Sequence, residues 1–250
     1  MIDVALKAAR EAGKILKEHF YEKQAVTIKE DKSFVTEIDK LSEQKIIETI
    51  KESFPSHSIK AEESGFSEKN SEFTWLIDPL DGTTNYATSL PFFSVSIALT
   101  KQGKLILGVI YDPIHDEMFS AEADKGSKMN NLQIKASQTS DLTKSMIGYS
   151  RSGKAKERFV DIFSKVERAA RTPKILGSTA LHLCYVAAGR LDADISISQA
   201  PWDLAAGALI IKEAGGTVTD LVGKEWDIAS GDVLASNGFI HDQILKLINK

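Results

Sequence analysis

Acidic side chains next to turn residues are the groups in this sequence that could do chemistry. They are concentrated in three segments, at residues 62–65, 78–84 and 201–203. The chain contains no glycine-rich nucleotide loop, no Gly-x-Ser-x-Gly nucleophile motif and no His-Glu-x-x-His zinc motif. Any catalysis is therefore expected to depend on carboxylates.

Asp78 and Asp81 are the most informative of these carboxylates. They lie three residues apart, with Pro79 between them, at the end of a segment typical of a buried strand. Two such groups repel each other unless a cation lies between them, and oxygen ligands without His or Cys suit Mg²⁺ or Mn²⁺ rather than zinc. The alternative is a solvated turn, because Asp-Gly is a common turn dipeptide.

The residues that follow, Gly82, Thr83 and Thr84, favour a site where metal and phosphate meet. Glycine allows close approach of the backbone, and the free N–H groups at the start of a helix bind anions. The Thr83 hydroxyl could orient a water beside the metals. It could also cap the helix, and the two roles are compatible.

The other acidic residues stay ambiguous when only their spacing is considered. Glu62 and its neighbour Glu63 could belong to a solvated loop. Asp203 could simply cap the helix that follows it, and Asp39 could begin another helix in the same way. Spacing does not show that these segments converge.

Composition and charge restrict the classes of partner. Hydrophobic residues make up 42% of the chain and charged residues 26%, as in ordinary globular proteins, and the net charge of −4 comes without basic runs that would bind nucleic acid. No apolar stretch approaches the ~20 residues of a membrane span, and the beginning of the sequence lacks a signal-peptide pattern, so we expect a cytoplasmic protein. Cys184 is the only cysteine, which excludes an intramolecular disulfide.

In the first part of the chain, periodicity predicts two helices and a mainly antiparallel sheet. Apolar residues at three- and four-residue steps predict a helix that ends near Tyr21 and another that follows Asp39 and stops before Pro55. Residues that are aromatic or β-branched, or that flank short turns, predict strands at 73–78, 92–100, 104–111 and 117–121.

In the second part, helices are expected from about 150 to 170, at 179–188 and at 204–214, with strands near 216–220 and 233–236. Blocks of helices and strands indicate layered α and β structure rather than a doubly wound Rossmann sheet. We expect one compact unit of two halves. Residues 1–145 carry the main metal motif, and residues 146–250 supply Asp203 and the substrate loops.

Two segments resemble the signatures of the inositol monophosphatase family. They are residues 75–86, with Asp78-Pro79-Leu80-Asp81-Gly82-Thr83-Thr84 at their centre, and residues 201–207, beginning Pro201-Trp202-Asp203 and followed by Glu213-Ala214-Gly215-Gly216. Supporting matches lie at residues 35–39, 62–64, 91–97 and 177–189. The similarity covers nearly the whole chain in order.

The resemblance implies a layered αβαβα sugar-phosphatase fold with a mainly antiparallel first sheet and a smaller second sheet. It implies two or three Mg²⁺ ions. The first would be held by Glu62, Asp78 and the Leu80 carbonyl, and the second by Asp78, Asp81 and Asp203. A third, weaker ion would lie near Glu62, and a homodimer is expected.

The resemblance also implies roles in catalysis and binding. Asp39 and Thr83 would activate the attacking water, Glu62 would take part in catalysis through the metals, and the backbone at Gly82 and Thr83 would hold the phosphate. Contacts to the rest of a small phosphorylated substrate are expected from Gly177, Ser178, Thr179 and Ser196. Ser196 stands where animal members carry a Glu, so weaker discrimination for inositol is expected.

The implied function is a Mg²⁺-dependent phosphate monoester hydrolase, most simply an inositol-1-monophosphatase, which uses a metal-activated water and forms no covalent intermediate. Fructose 1,6-bisphosphate, 3′-phosphoadenosine 5′-phosphate and histidinol phosphate are alternative substrates within the family. A haloacid-dehalogenase-type phosphatase is another alternative, but its motif spaces the aspartates two residues apart. The last alternative is a regulatory member of the family that has no catalytic activity.

Overall fold

Two β-sheets alternate with layers of helices in the computed structural model, which describes residues 1–22, 27–28 and 34–250. The helices of this described part are α1 (Ile2–Glu18), α2 (Glu37–Ser53), α3 (Thr83–Ala87), α4 (Lys156–Glu167), α5 (Thr179–Ala187), α6 (Pro201–Glu213) and α7 (His241–Ile248). None of them combines the length and apolar character that crossing a membrane requires.

The first half of the chain forms the larger sheet. Its strands are β3 (Ser58–Ala61), β4 (Gly65–Ser67), β5 (Phe73–Asp81), β6 (Ser94–Lys101), β7 (Lys104–Asp112), β8 (Glu117–Glu122), β9 (Ser127–Met129) and β10 (Leu132–Gln133), and a separate pair is formed by β1 (Thr27–Ile28) and β2 (Phe34–Val35). The spatial order is β10-β9-β8-β7-β6-β5-β3-β4. All neighbouring strands are antiparallel except β3 and β5, which confirms the predicted mainly antiparallel sheet.

The second half forms the smaller sheet. Its strands are β11 (Met146–Arg151), β12 (Thr172–Lys174), β13 (Ala193–Ile197), β14 (Thr217–Thr219) and β15 (Val233–Ser236), in the order β12-β11-β13-β15-β14. Here β11 runs parallel to both of its neighbours, and the β13–β15 and β15–β14 pairs are antiparallel.

Three apolar clusters define the layers. Residues of α1 and α2 pack against one face of the larger sheet, α5 and α6 pack between the two sheets, and α4 and α7 cover the outer face of the smaller sheet. The helices between the sheets are rich in small side chains: an added Cβ at Gly207 of α6 would lie 2.5 Å from Leu183 of α5. The predicted layered αβαβα arrangement is therefore confirmed.

Several elements differ from their predicted bounds. The first helix ends at Glu18, although Phe20 beyond it is buried against Phe93, which explains why the apolar period continues further. The strand predicted to stop at Asp78 runs on through Pro79, and its pairing with β6 shifts register between Asp78 and Asp81. Proline is tolerated inside a sheet at such an irregularity because no regular ladder bond is required there.

Candidate metal and phosphate site

Asp78 and Asp203 form the centre of an acidic group at the carboxyl end of β5. Asp78 is 2% exposed, and its Oδ1 accepts a hydrogen bond from the N–H of Leu80 at 2.9 Å. Asp203 lies in the first turn of α6, where its Oδ2 accepts from the N–H of Ala200 at 2.9 Å. The two carboxyl groups are close enough for the charge of Asp203 to raise the pKa of Asp78. The fold thus joins two of the three acidic segments.

The environment of these carboxyl groups disfavours negative charge. Burial raises the pKa of Asp78 well above its usual range, and the charges of Glu62, Asp203 and Asp81 raise it further. Burial also raises the pKa of Asp203, with Asp81 and then Glu62 adding to the effect. Glu62 is therefore part of the same electrostatic group. A bound cation would relieve the repulsion among all four.

The donor chemistry fits a hard divalent cation such as Mg²⁺, which prefers carboxylate and carbonyl oxygens. Within the described ranges, however, no three His, Cys, Asp or Glu side chains are arranged around one metal position. The carbonyl oxygen of Leu80 instead accepts from Thr83 Oγ1 at 3.0 Å. The fit rests on donor type, burial and raised pKa, and binding would require the carboxylates to move closer together.

Asp81 links the acidic group to the helix between the sheets. Its Oδ1 accepts from the N–H of Thr179 at 3.1 Å, and its Oδ2 accepts from the N–H of Ala180 at 2.9 Å and from the Ser178 hydroxyl. Burial raises the pKa of Asp81, while these hydrogen bonds lower it. The start of α5 therefore holds Asp81 in place across the two halves of the chain.

Asp39 and Thr83 meet as the resemblance implied. Asp39 lies in the first turn of α2, 1% exposed, and its Oδ2 accepts from the N–H and the hydroxyl of Thr36 at 2.8 and 2.5 Å. Its Oδ1 lies 3.3 Å from Thr83 Oγ1, which can donate to it or to Leu80. Burial raises the pKa of Asp39, and the Thr36 hydrogen bonds oppose the shift. Thr36, rather than Asp39, is the N-cap residue of α2, and Asp39 completes the capping box by accepting from the N–H of Thr36.

Gly82 forms the turn that starts α3. Its φ of 97° lies in the left-handed region that favours glycine, and an added Cβ would lie 3.1 Å from the carbonyl oxygen of Phe92 and 3.2 Å from that of Gly177. The first N–H groups of a helix lack acceptors within the helix, so those after Gly82 are available to an anion.

A cavity of about 460 Å³ opens beside this turn. Its walls come from both halves of the chain and are formed by Asp81, Gly82, Thr83, Thr84, Tyr149, Ser150, Arg151, Phe159, Ile175, Gly177, Thr179 and Gln199. A larger groove of about 790 Å³ runs along α2, but neither the Gly82 turn nor Asp81 lines it. The smaller cavity is therefore the better substrate site.

The predicted substrate contacts divide into two kinds. Gly177 and Thr179 line the cavity. Ser178 is fully buried, and its hydroxyl donates to Asp81. Ser196 is also fully buried inside β13, where its hydroxyl donates to Asp194 Oδ2 at 2.5 Å. This burial argues against direct substrate contact by either serine side chain.

Two residues that the sequence did not point to, Glu43 and Asn85, hold loops of the site in place by hydrogen bonds. Glu43 of α2 is buried and accepts from the N–H groups of Glu63 and Ser64, both at 2.8 Å, which fixes the loop that carries Glu62. Its position four residues after Asp39, on the same face of the helix, was an available signal. Asn85 bridges the carbonyl oxygens of Phe92 and Leu176, both at 2.7 Å, for which the local sequence offered no signal.

Comparison with known proteins agrees with this architecture. The sequence profile of the inositol monophosphatase family matches residues 1–250. The chain is 40% identical to inositol monophosphatase 2 of Solanum lycopersicum, with 100% of this chain and 98% of that protein covered. It is 39% identical to Nus factor SuhB of Pasteurella multocida, with 99% and 95% covered.

Among solved structures, inositol monophosphatase from Anabaena (Nostoc) sp. PCC 7120 superimposes with a TM-score of 0.90 at 39% identity, over 99% of this chain and 94% of that one. Sequence similarity and fold therefore agree over the full length of the sequence. The chain belongs to the inositol monophosphatase family.

Proposed function

We propose that the chain is a Mg²⁺-dependent hydrolase of small phosphate monoesters. The observation that carries the proposal is a pair of carboxyl groups with raised pKa beside the Gly82 turn: Asp78, which is buried, and Asp203, which is half-buried. Such a pair is costly unless it serves a cation, and a cation next to free backbone N–H groups is an arrangement for phosphate. Family membership supports the same function.

The chain's own groups would share the reaction. The N–H groups after Gly82 would bind the phosphate oxygens, and Asp78, Asp81, Asp203, Glu62 and the Leu80 carbonyl would hold two or three ions. The chemistry that Mg²⁺ supplies when bound is positive charge for the phosphoryl oxygens and activation of water.

Thr83 and Asp39 would position the water. When the Thr83 hydroxyl donates to Asp39 Oδ1, a lone pair of Thr83 Oγ1 remains to accept a hydrogen bond from water; as the water loses that proton to Oγ1, the hydroxyl proton of Thr83 would pass to Asp39. The water oxygen would then face the phosphate held by the adjacent turn, for direct displacement without a covalent intermediate. Family membership argues against the haloacid-dehalogenase mechanism, because the chain belongs to the inositol monophosphatase family.

Substrate choice needs a direct test. We propose inositol 1-phosphate first, with fructose 1,6-bisphosphate, 3′-phosphoadenosine 5′-phosphate and histidinol phosphate as family alternatives. Phosphate release from each would be measured with and without millimolar Mg²⁺, with EDTA as a control. Release that depends on the metal is expected from at least one ester. No release from any of them with Mg²⁺ or Mn²⁺ would contradict the proposal.

A regulatory role is the second candidate, favoured by the 39% identity to a protein named Nus factor SuhB. A regulatory protein of this fold would not need turnover, so its cellular effect should survive in a variant that has lost phosphatase activity, such as Asp81→Asn. Loss of both together would favour the enzyme. The homodimer and the cytoplasmic location remain predictions.

A further inference from the structure

A buried polar group lies directly beneath the cavity and has no part in the reaction described above. His182 of α5 and Asp194 of β13 are both 0% exposed, and His182 Nδ1 lies 3.0 Å from Asp194 Oδ1. Ser150, at the end of β11, is 9% exposed, and its Oγ lies 3.3 Å from the same Nδ1. Ser150 also lines the cavity, so the group connects the core to the substrate site.

The neighbouring strand is shaped to hold this group. In the parallel pairing of β11 and β13, Gly148 is opposite Asp194 and Ser150 is opposite Ser196. An added Cβ at Gly148 would lie 2.6 Å from Asp194 Oδ1 and 3.2 Å from His182 Nδ1. Any side chain at residue 148 would therefore displace the pair.

The backbone settles where the proton of His182 resides. The N–H of Leu176 donates to Nε2 at 3.2 Å, so Nε2 must offer a lone pair. The ring is therefore neutral and carries its proton on Nδ1, which faces Asp194 Oδ1 and Ser150 Oγ together. Ser150 consequently accepts from His182, and its own hydroxyl hydrogen remains to be donated.

The hydroxyl hydrogen of Ser150 needs an acceptor. Within residues 1–22, 27–28 and 34–250, the Ser150 hydroxyl makes no hydrogen bond other than the one to His182. A hydroxyl that is nine-tenths buried normally finds an acceptor, and the space beside Ser150 is the cavity. An acceptor is thus expected from the molecule that fills the cavity.

We propose that Ser150 is a specificity-determining residue, which donates a hydrogen bond to an oxygen on the alcohol part of the substrate. The inference rests on the proposed phosphatase function and names a residue that would recognise the hydroxyl groups of its substrate. The phosphate lies at the Gly82 turn, and the ring or chain that it esterifies extends toward Ser150. Selection of hydroxylated substrates then depends on Ser150 rather than on the buried Ser196.

The test compares two esters that differ in the hydroxyl groups of one ring, myo-inositol 1-phosphate and cyclohexyl phosphate. The ratio of their kcat/KM values cancels effects on phosphate and metal binding that the two substrates share. Ser150→Ala should lower this ratio by about 2- to 10-fold, the range for one neutral hydrogen bond. Asp194 still accepts from His182 in that variant, so the core keeps its pairing.

Ser152→Ala is the matched control, because Ser152 is two residues further along and does not line the cavity. Its ratio should equal that of the wild type. Ser150→Cys keeps nearly the same volume but donates poorly, so it should behave like Ser150→Ala and replaces that variant if the latter fails to fold by circular dichroism.

The outcomes separate the two proposals. A lower ratio in the Ser150 variants alone supports the inference. An unchanged ratio, or an equal fall in Ser152→Ala, overturns it while the phosphatase function stands. If the wild type hydrolyses neither ester with Mg²⁺ or Mn²⁺, nor any ester of the family, the proposed function fails and this inference fails with it.

Discussion

Two buried carboxylates, Asp78 and Asp194, have opposite surroundings. Asp78 lies among Asp203, Asp81 and Glu62, and burial and repulsion raise its pKa. Asp194 lies between donors, because His182 donates to one oxygen and Ser196 to the other.

The difference indicates what each carboxylate is for. A buried carboxylate with its donors in place needs nothing further from outside the chain, whereas one surrounded by like charges needs a cation. Asp78 therefore indicates a ligand site, and Asp194 a structural contact. Asp81 shares both characters, since it faces the acidic group and also accepts from the start of α5.

The largest expected effect comes from Asp81, which faces the acidic group and also accepts hydrogen bonds from α5. Asp81→Asn should lower Mg²⁺-dependent phosphate release by at least about 10³-fold, because a charge that stabilises the reacting site is lost. Circular dichroism should show the same fold with somewhat lower stability, because the amide oxygen keeps one N–H donor of α5 while the amide N–H₂ faces the other. Retention of more than about a tenth of the wild-type rate would place Asp81 with Asp194, as a structural residue.

The second largest effect is expected for Asp39, whose carboxyl group faces the Thr83 hydroxyl. Asp39→Asn and Thr83→Ala should each lower kcat by about 10²-fold, the lower end of the range for proton transfer by a positioned group. The double variant should lose little more than the worse single one, because the two residues act as a unit. If the two losses multiply instead, Asp39 and Thr83 act independently.

The comparison predicts opposite effects on stability. Without divalent ions, Asp78→Asn should raise the free energy of unfolding, because it removes a repelled buried charge. Asp194→Asn should lower it by about 1–3 kcal/mol, because neutral hydrogen bonds to an amide replace the stronger ones that the carboxylate accepts from His182 and Ser196. Chemical denaturation with and without EDTA measures both. If both variants change the free energy of unfolding in the same direction, the surroundings of Asp78 and Asp194 do not differ as described.

The same pair makes a prediction about pH. The pKa of Asp78 is higher in the folded chain than its ordinary value of 3.8, so the folded state binds this proton more tightly. Metal-free wild type should therefore lose stability as pH rises above about 4, up to the raised pKa, and Asp78→Asn should flatten this slope. Added Mg²⁺ should restore the stability of wild type at neutral pH. A slope that Asp78→Asn leaves unchanged would assign the titration to another group.

The smallest effect concerns Gly82, where backbone strain must be distinguished from loss of phosphate binding. Gly82→Ala and Gly65→Ala both place a side chain at positive φ, 97° and 78°, which costs about 1–2 kcal/mol. Only at Gly82 would the new Cβ also press on neighbouring backbone oxygens, whereas nothing lies within 4 Å at Gly65. Thermal unfolding should show a larger loss for Gly82→Ala, and KM should rise for that variant alone.

Much of the fold was predictable because its elements follow local patterns. The β6–β7 hairpin and β15 appeared near their predicted bounds. The strand β13 was not predicted, although Asp194 and Ser196 alternate with apolar residues as in a half-exposed strand; the pattern does not show that the strand is buried on both faces. Its polar side chains are tolerated because they bond to each other and to His182, which no local pattern reveals.

The sequence by itself determined the chemistry at the end of β5, where Asp78, Asp81, Gly82 and Thr83 are close in the chain and their types suit a metal and a phosphate. It also determined the family, through motifs that keep their order. Only the tertiary structure decided that Asp203 meets Asp78, that α5 holds Asp81, and that Ser150 rather than Ser196 lines the cavity. The reason is physical: burial and distant contacts depend on how layers pack, and periodicity reports only which face of an element is apolar.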